Sequence, residues 1–163
     1  MASVHREFVV EAAPEEVWDV LSDFGAVHER LAPGFVVSTR LDADTRTVTF
    51  ADGTIVSERL VALDPVSRRV AYTVVGGSLH PSHHHATMQA LPEDGGRTLF
   101  VWHTDVLPDV LAETMAEFVE LGSAVISRTL RASGTPLPTG SGLDQENTSR
   151  PGGHREGDRR ADG

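Results

Sequence analysis

Apolar residues recur along this chain at two periods, and the switches between them mark its elements. Val4–Glu11 alternates weakly, as a strand does. Pro14 then suits the first turn of a helix, with Glu15 and Glu16 where the helix dipole favours acids. Val17, Trp18, Leu21 and Phe24 follow at helical spacing. Gly25 ends that helix, and Ala26–Leu31 forms a second short one before Pro33-Gly34. Six strand-like runs come next: Phe35–Leu41, Arg46–Phe50, Thr54–Leu63, Arg68–Val75, His83–Leu91 and Arg97–Val106. Turn residues such as Asp52-Gly53, Asp64-Pro65 and Gly76-Gly77 separate them, which predicts an antiparallel meander. Pro108 and Asp109 open one long helix to Ala132. Its apolar stripe is Leu111, Met115, Phe118, Gly122, Val125 and Thr129, with Glu113, Glu117 and Glu120 on the solvent side.

These elements predict an α+β domain over residues 1–132. Seven antiparallel strands curve around the terminal helix and leave a cavity between sheet and helix, a standard place for a small apolar ligand. Residues 133–163 are rich in Gly, Pro, Ser, Arg and Asp with almost no large apolar side chain, and are expected to form a disordered tail.

Two charges break the alternation. Arg46 shares a strand face with Val48 and Phe50, and Glu58 shares one with Val56, Leu60 and Ala62. Both therefore point at the apolar side of the hairpin joined by Asp52-Gly53, where a charge is costly unless paired or used. Desolvation raises a carboxylate's pKa and a nearby arginine lowers it. A pair balanced between the two serves proton transfer, with Arg46 holding a substrate oxyanion. The alternative is a buried ion pair that only ties two strands together.

Composition narrows the chemistry. The 163 residues contain no cysteine, which excludes disulfides, thiolate nucleophiles and cysteine metal sites. All 14 basic residues are arginine, so a Schiff-base or P-loop lysine is absent, and the bias towards Arg, Ala, Gly, Asp and Val points to a GC-rich bacterial genome. A formal charge of −10 argues against a nucleic-acid partner. No signal core and no run long enough to span a membrane are present, so a cytoplasmic protein is expected. Neither a Gly-x-Ser-x-Gly elbow nor a Gly-rich phosphate loop occurs.

Four histidines crowd together at 80, 83, 84 and 85. Alternation places His83 and His85 on one face and His84 on the other. His-x-His on a strand is a metal-binding pattern, but the nearest third ligand, His103, reads as outward because Thr98, Phe100, Trp102 and Thr104 form the inward face of its strand. No metal is expected. His85 is instead read as a neutral pocket histidine beside a ligand or Glu58, and His80 and His84 as exposed. Phe50, Tyr72, His83, Trp102, Met115 and Phe118 are the candidate substrate-binding residues.

The run Ala13-Pro-Glu-Glu-Val-Trp-Asp-Val-Leu-Ser-Asp-Phe-Gly25, then Arg46-x-Val, Gly53, Ser57-Glu-Arg-Leu-x-x-Leu-Asp64, Tyr72, Ala86-Thr-Met-Gln89 and Val101-Trp102 together resemble the START-like (SRPBCC) superfamily. Within it, the chain is most similar to the polyketide cyclase/dehydrase branch and to plant proteins like lachrymatory factor synthase. The resemblance implies the helix-grip fold of the birch-pollen allergen, with a ligand pocket and no metal or organic cofactor. It also implies catalytic roles for Arg46 and Glu58, and places His85 where the synthase-like members carry a tyrosine. The expected function is a cofactor-independent cyclase, dehydratase or isomerase acting by proton transfer on a hydrophobic, oxygenated, polyketide-like intermediate, as a monomer or homodimer. The alternatives are a non-catalytic carrier, sensor or self-resistance protein for such a ligand, or a partner-chaperone.

Overall fold

Alternating apolar positions and short turns produce a continuous meander, and the computed structural model describes residues 1–133 of it. Its strands are β1 (Ala2–Val10), β2 (Val36–Asp42), β3 (Thr45–Phe50), β4 (Ile55–Asp64), β5 (Arg69–Gly77), β6 (His83–Pro92) and β7 (Thr98–Leu107). Every pairing is antiparallel, in the order β1-β7-β6-β5-β4-β3-β2, so the sheet is open. The expected helix-grip architecture is therefore present. The expected tail lies outside the described residues.

Between β1 and β2 come α1 (Pro14–Ser22), with Pro14 in its first turn, and a π-helical turn at Val27–Leu31 where a plain short helix was expected. The long helix α2 covers Ala112–Ser133, after a single 3₁₀ turn at Asp109–Leu111. Val10, Val17, Phe100, Ile126 and Leu130 are almost wholly buried where sheet and helices meet. The buried stripe of α2 is Met115, Val119, Gly122, Ser123, Ile126 and Leu130. It lies about one residue further round than the stripe read from sequence. Leu111, Phe118, Val125 and Thr129 sit at its half-buried margin. Both stripes fit a helical period, and the sheet surface decides between them.

No described helix is long and apolar enough to cross a membrane.

Candidate functional site

Arg46 and Glu58 stand directly opposite each other in the β3–β4 ladder. Both are more than nine-tenths buried. Arg46 Nε donates to Glu58 Oε2 at 2.6 Å, and Nη1 donates to the Phe24 carbonyl at 3.2 Å. The guanidinium lies over the Phe24 ring at 3.9 Å and near the Tyr72 ring at 4.9 Å, so cation–π contacts hold it on two sides. Glu58 uses only one oxygen on Arg46; Oε1 takes no hydrogen bond from the described residues.

The pair forms part of the wall of a cavity between the sheet and α2. Two adjoining compartments, of about 40 and 60 Å³, share Phe35, Phe50, Glu58, Tyr72 and Trp102. The first also reaches Arg46, Val48, Met88 and Gly122. The second reaches His84, Thr104, Met115 and Phe118. Phe35, Phe50 and Phe118 meet edge to face, with ring centroids 4.7 to 6.0 Å apart. On their far side the same three rings line a surface recess with Ala51, Asp52, Glu117 and Leu121.

Phe50, Tyr72, Trp102, Met115 and Phe118 thus line the cavity as expected, but His83 and His85 do not. On β6 the even positions, His84, Ala86, Met88 and Ala90, are buried; His83 is exposed and His85 half-buried on the outer face. The expectation for His85 and His83 reversed the strand's parity. The apolar residues Ala86, Met88 and Ala90 carry the signal that sets it, and extended back by two residues they point to His84. His103 is outward as expected, which puts it on the same face as His83 and His85, not the opposite one. Among the described residues, no three His, Asp or Glu side chains are placed to share a metal ion.

His84 owes its position to a gap in the sheet. Pairing between β5 and β6 stops at Tyr72–Ala86. Beyond it, Thr73 Oγ1 donates to the His84 carbonyl at 2.5 Å, and the Val74 amide donates to His84 Nδ1 at 3.1 Å. Burial pushes the imidazole pKa down to about 4, and the neighbouring His85 and His83 add to this. Tyr72 is pushed up by burial and then by the Glu58 charge, so its hydroxyl stays protonated. The indole N–H of Trp102 leans towards that hydroxyl without closing a hydrogen bond, and is buried with no partner.

A family model described as polyketide cyclase / dehydrase and lipid transport matches residues 1–133. The chain belongs to that family. Comparison with curated protein sequences gives no match. Several solved structures share the fold. An uncharacterised protein of Bacillus thuringiensis superposes with a TM-score of 0.71 at 15% identity, over 79% of this chain and 98% of that one. The Zhui aromatase/cyclase of Streptomyces sp. R1128 does so with 0.63 at 19% identity, over 82% and 93%. Norcoclaurine synthase of Thalictrum flavum, solved with dopamine and hydroxybenzaldehyde, gives 0.61 at 20% identity, over 78% and 84%. At these identities the likeness shows the helix-grip fold alone. The family supports a cyclase-type or ligand-binding role.

Proposed function

We propose that this member of the family is a cofactor-independent enzyme of cyclase, dehydratase or isomerase type, with Glu58 as acid/base. Residues 1–132 would form the whole ligand-binding unit, acting in a bacterial cytoplasm on a hydrophobic, oxygenated, polyketide-like molecule of specialised metabolism. One observation carries the reading: Glu58 is an inward carboxylate in a mainly apolar cavity, with Oε2 fixed by Arg46 and Oε1 unengaged. A base held in this way takes a proton without first reorganising. In the proposed step Oε1 removes a proton from the carbon beside a carbonyl. The C–H electron pair becomes the new C=C bond and the carbonyl π pair moves onto oxygen. The oxyanion pair then re-forms the carbonyl, and the C=C pair either takes the proton back from Glu58 at carbon or becomes the Cα=Cβ bond as the β-hydroxyl, protonated by Glu58, leaves as water with the C–O pair. Arg46 sets the carboxylate's orientation through Oε2.

The cavity size favours a second reading, a non-catalytic binding module. Compartments of about 40 and 60 Å³ are far below the roughly 300–1,000 Å³ of drug-sized ligand pockets. A ligand larger than these compartments would need wall side chains such as Phe35, Phe50 and Phe118 to give way.

Deuterium exchange at the methyl group of acetophenone, followed by NMR in D₂O, separates the two. An enzyme accelerates exchange, and Glu58→Gln lowers the rate by about 10²–10⁴-fold with the fold retained. No acceleration by the wild type, or equal acceleration by a folded Glu58→Gln protein, sinks the catalytic reading and leaves the binding module.

A further inference from the structure

The cavity contains a histidine whose protonation pattern is set by the backbone. An amide N–H can only donate, so the ring nitrogen it meets must accept. The Val74 amide meets His84 Nδ1 at 3.1 Å, which puts the ring proton of the neutral imidazole on Nε2. Nε2 lies across the ring from that contact. It has no hydrogen-bond partner among the described residues, and the side chain borders the compartment that holds Glu58, Tyr72 and Trp102. A second donor on the same wall also closes no hydrogen bond: Trp102 Nε1, on a residue nine-tenths buried, is itself fully buried and only leans towards the Tyr72 hydroxyl. A buried N–H left unsatisfied is costly unless a ligand completes it.

We propose that the His84 Nε2–H and Trp102 Nε1–H groups are the ligand-recognition donors of this site, and that they select an uncharged aryl ketone or aldehyde by its carbonyl oxygen. Three features choose that class. The donors need an acceptor. The walls are aromatic and aliphatic: Phe35, Phe50, Met115 and Phe118. The cavity offers no spare positive charge for a carboxylate, because Arg46 is already neutralised by Glu58. His84 is thereby a donor and not a base, since Nε2 already holds its proton and the Nδ1 lone pair is occupied. The depressed imidazole pKa agrees with a neutral ring. The inference shares its cavity with the proposed acid/base chemistry but needs no turnover.

The test pairs acetophenone with α-methylstyrene, which replaces the carbonyl oxygen by a methylene of similar shape. Binding to the wild type is measured by NMR titration, and the tautomer by ¹⁵N–¹H correlation of the imidazoles. We expect the His84 proton on Nε2 and a preference for acetophenone of about three- to tenfold or more, the worth of a net hydrogen bond or two. His84→Asn keeps an acceptor oxygen in reach of the Val74 amide but removes the Nε2 donor. It is expected to keep the fold and lose most of the preference. Trp102→Phe keeps an aromatic ring, removes the indole N–H, and is expected to lose part of it. A proton on Nδ1, binding of neither probe, or equal affinity for both overturns the proposal. So does an unchanged preference in both variants. The preference is read from wild-type binding without turnover, and the exchange rate is read separately, so failure of the catalytic reading and failure of this one are separate results.

Discussion

Gly122 of α2 presses bare backbone against the indole of Trp102 on β7. A Cβ at this position would lie 2.9 Å from Trp102 Cζ3, 3.0 Å from Cη2 and 3.3 Å from Phe35 Cε1. Only glycine lets the indole lie between helix and sheet at this point. In the sequence Gly122 stands out as the residue of lowest helix propensity on the apolar stripe.

Gly122→Ala is therefore expected to displace Trp102 and to cost about 1–3 kcal/mol, the usual range for overpacking. Urea unfolding measures the loss. Indole emission in a Trp18→Phe background, where Trp102 is the only tryptophan, reports the displacement. Unchanged stability and emission would show that the helix has room to step back.

Arg46→Met leaves the Glu58 carboxylate buried without its partner and is expected to destabilise by about 3–5 kcal/mol. A combined Arg46→Met/Glu58→Leu protein should recover most of that loss, because apolar replacement of a buried ion pair is often neutral or better. Denaturant unfolding of the wild type, Arg46→Met, Glu58→Leu and the combined protein gives the coupling directly. Additive losses would mean that the 2.6 Å contact contributes nothing to the fold.

The His84 ring gives stability a pH dependence with a definite sign. Its pKa is about 4 in the fold against an ordinary 6.5, mainly from burial, with His85 and His83 adding and Asp105 opposing. Between those values the unfolded chain binds more protons than the native one, so stability rises with pH. The neutral ring's contribution is complete above about pH 6.5. It is lost as pH falls towards 4, for a total on the order of 3 kcal/mol. Carboxylates titrate in the same range, so the measurement is the difference between wild type and His84→Asn across pH 4 to 7. Parallel curves for the two proteins would contradict a neutral buried ring.

Much of this arrangement is legible in the chain itself. The meander, the terminal helix and the inward pair Arg46–Glu58 all follow from alternation and turn residues, because a slip of one position in a strand exposes its whole apolar face. Three adjacent histidines carry no such signal, so local reading around His85 fails. The parity of β6 is fixed further along, by Ala86, Met88 and Ala90. The contact between Val74 and His84 was out of reach for a different reason. It exists because β5 and β6 part after Tyr72–Ala86, and strand divergence belongs to the curvature of the whole sheet. The rotation of the α2 stripe has the same origin, since several helical phases fit the sequence and only one fits the sheet.

The three phenylalanines between the surface recess and the cavity have a kinetic consequence. Edge-to-face contacts are each worth about 0.5–1.5 kcal/mol beyond area burial, and Phe35, Phe50 and Phe118 make three among themselves. Where admission breaks that cluster, its cost falls on arrival. The closed cluster then stands equally in the way of departure. A guest of one ring would come and go slowly for its size, with a residence time set by side-chain rotation more than by its own affinity.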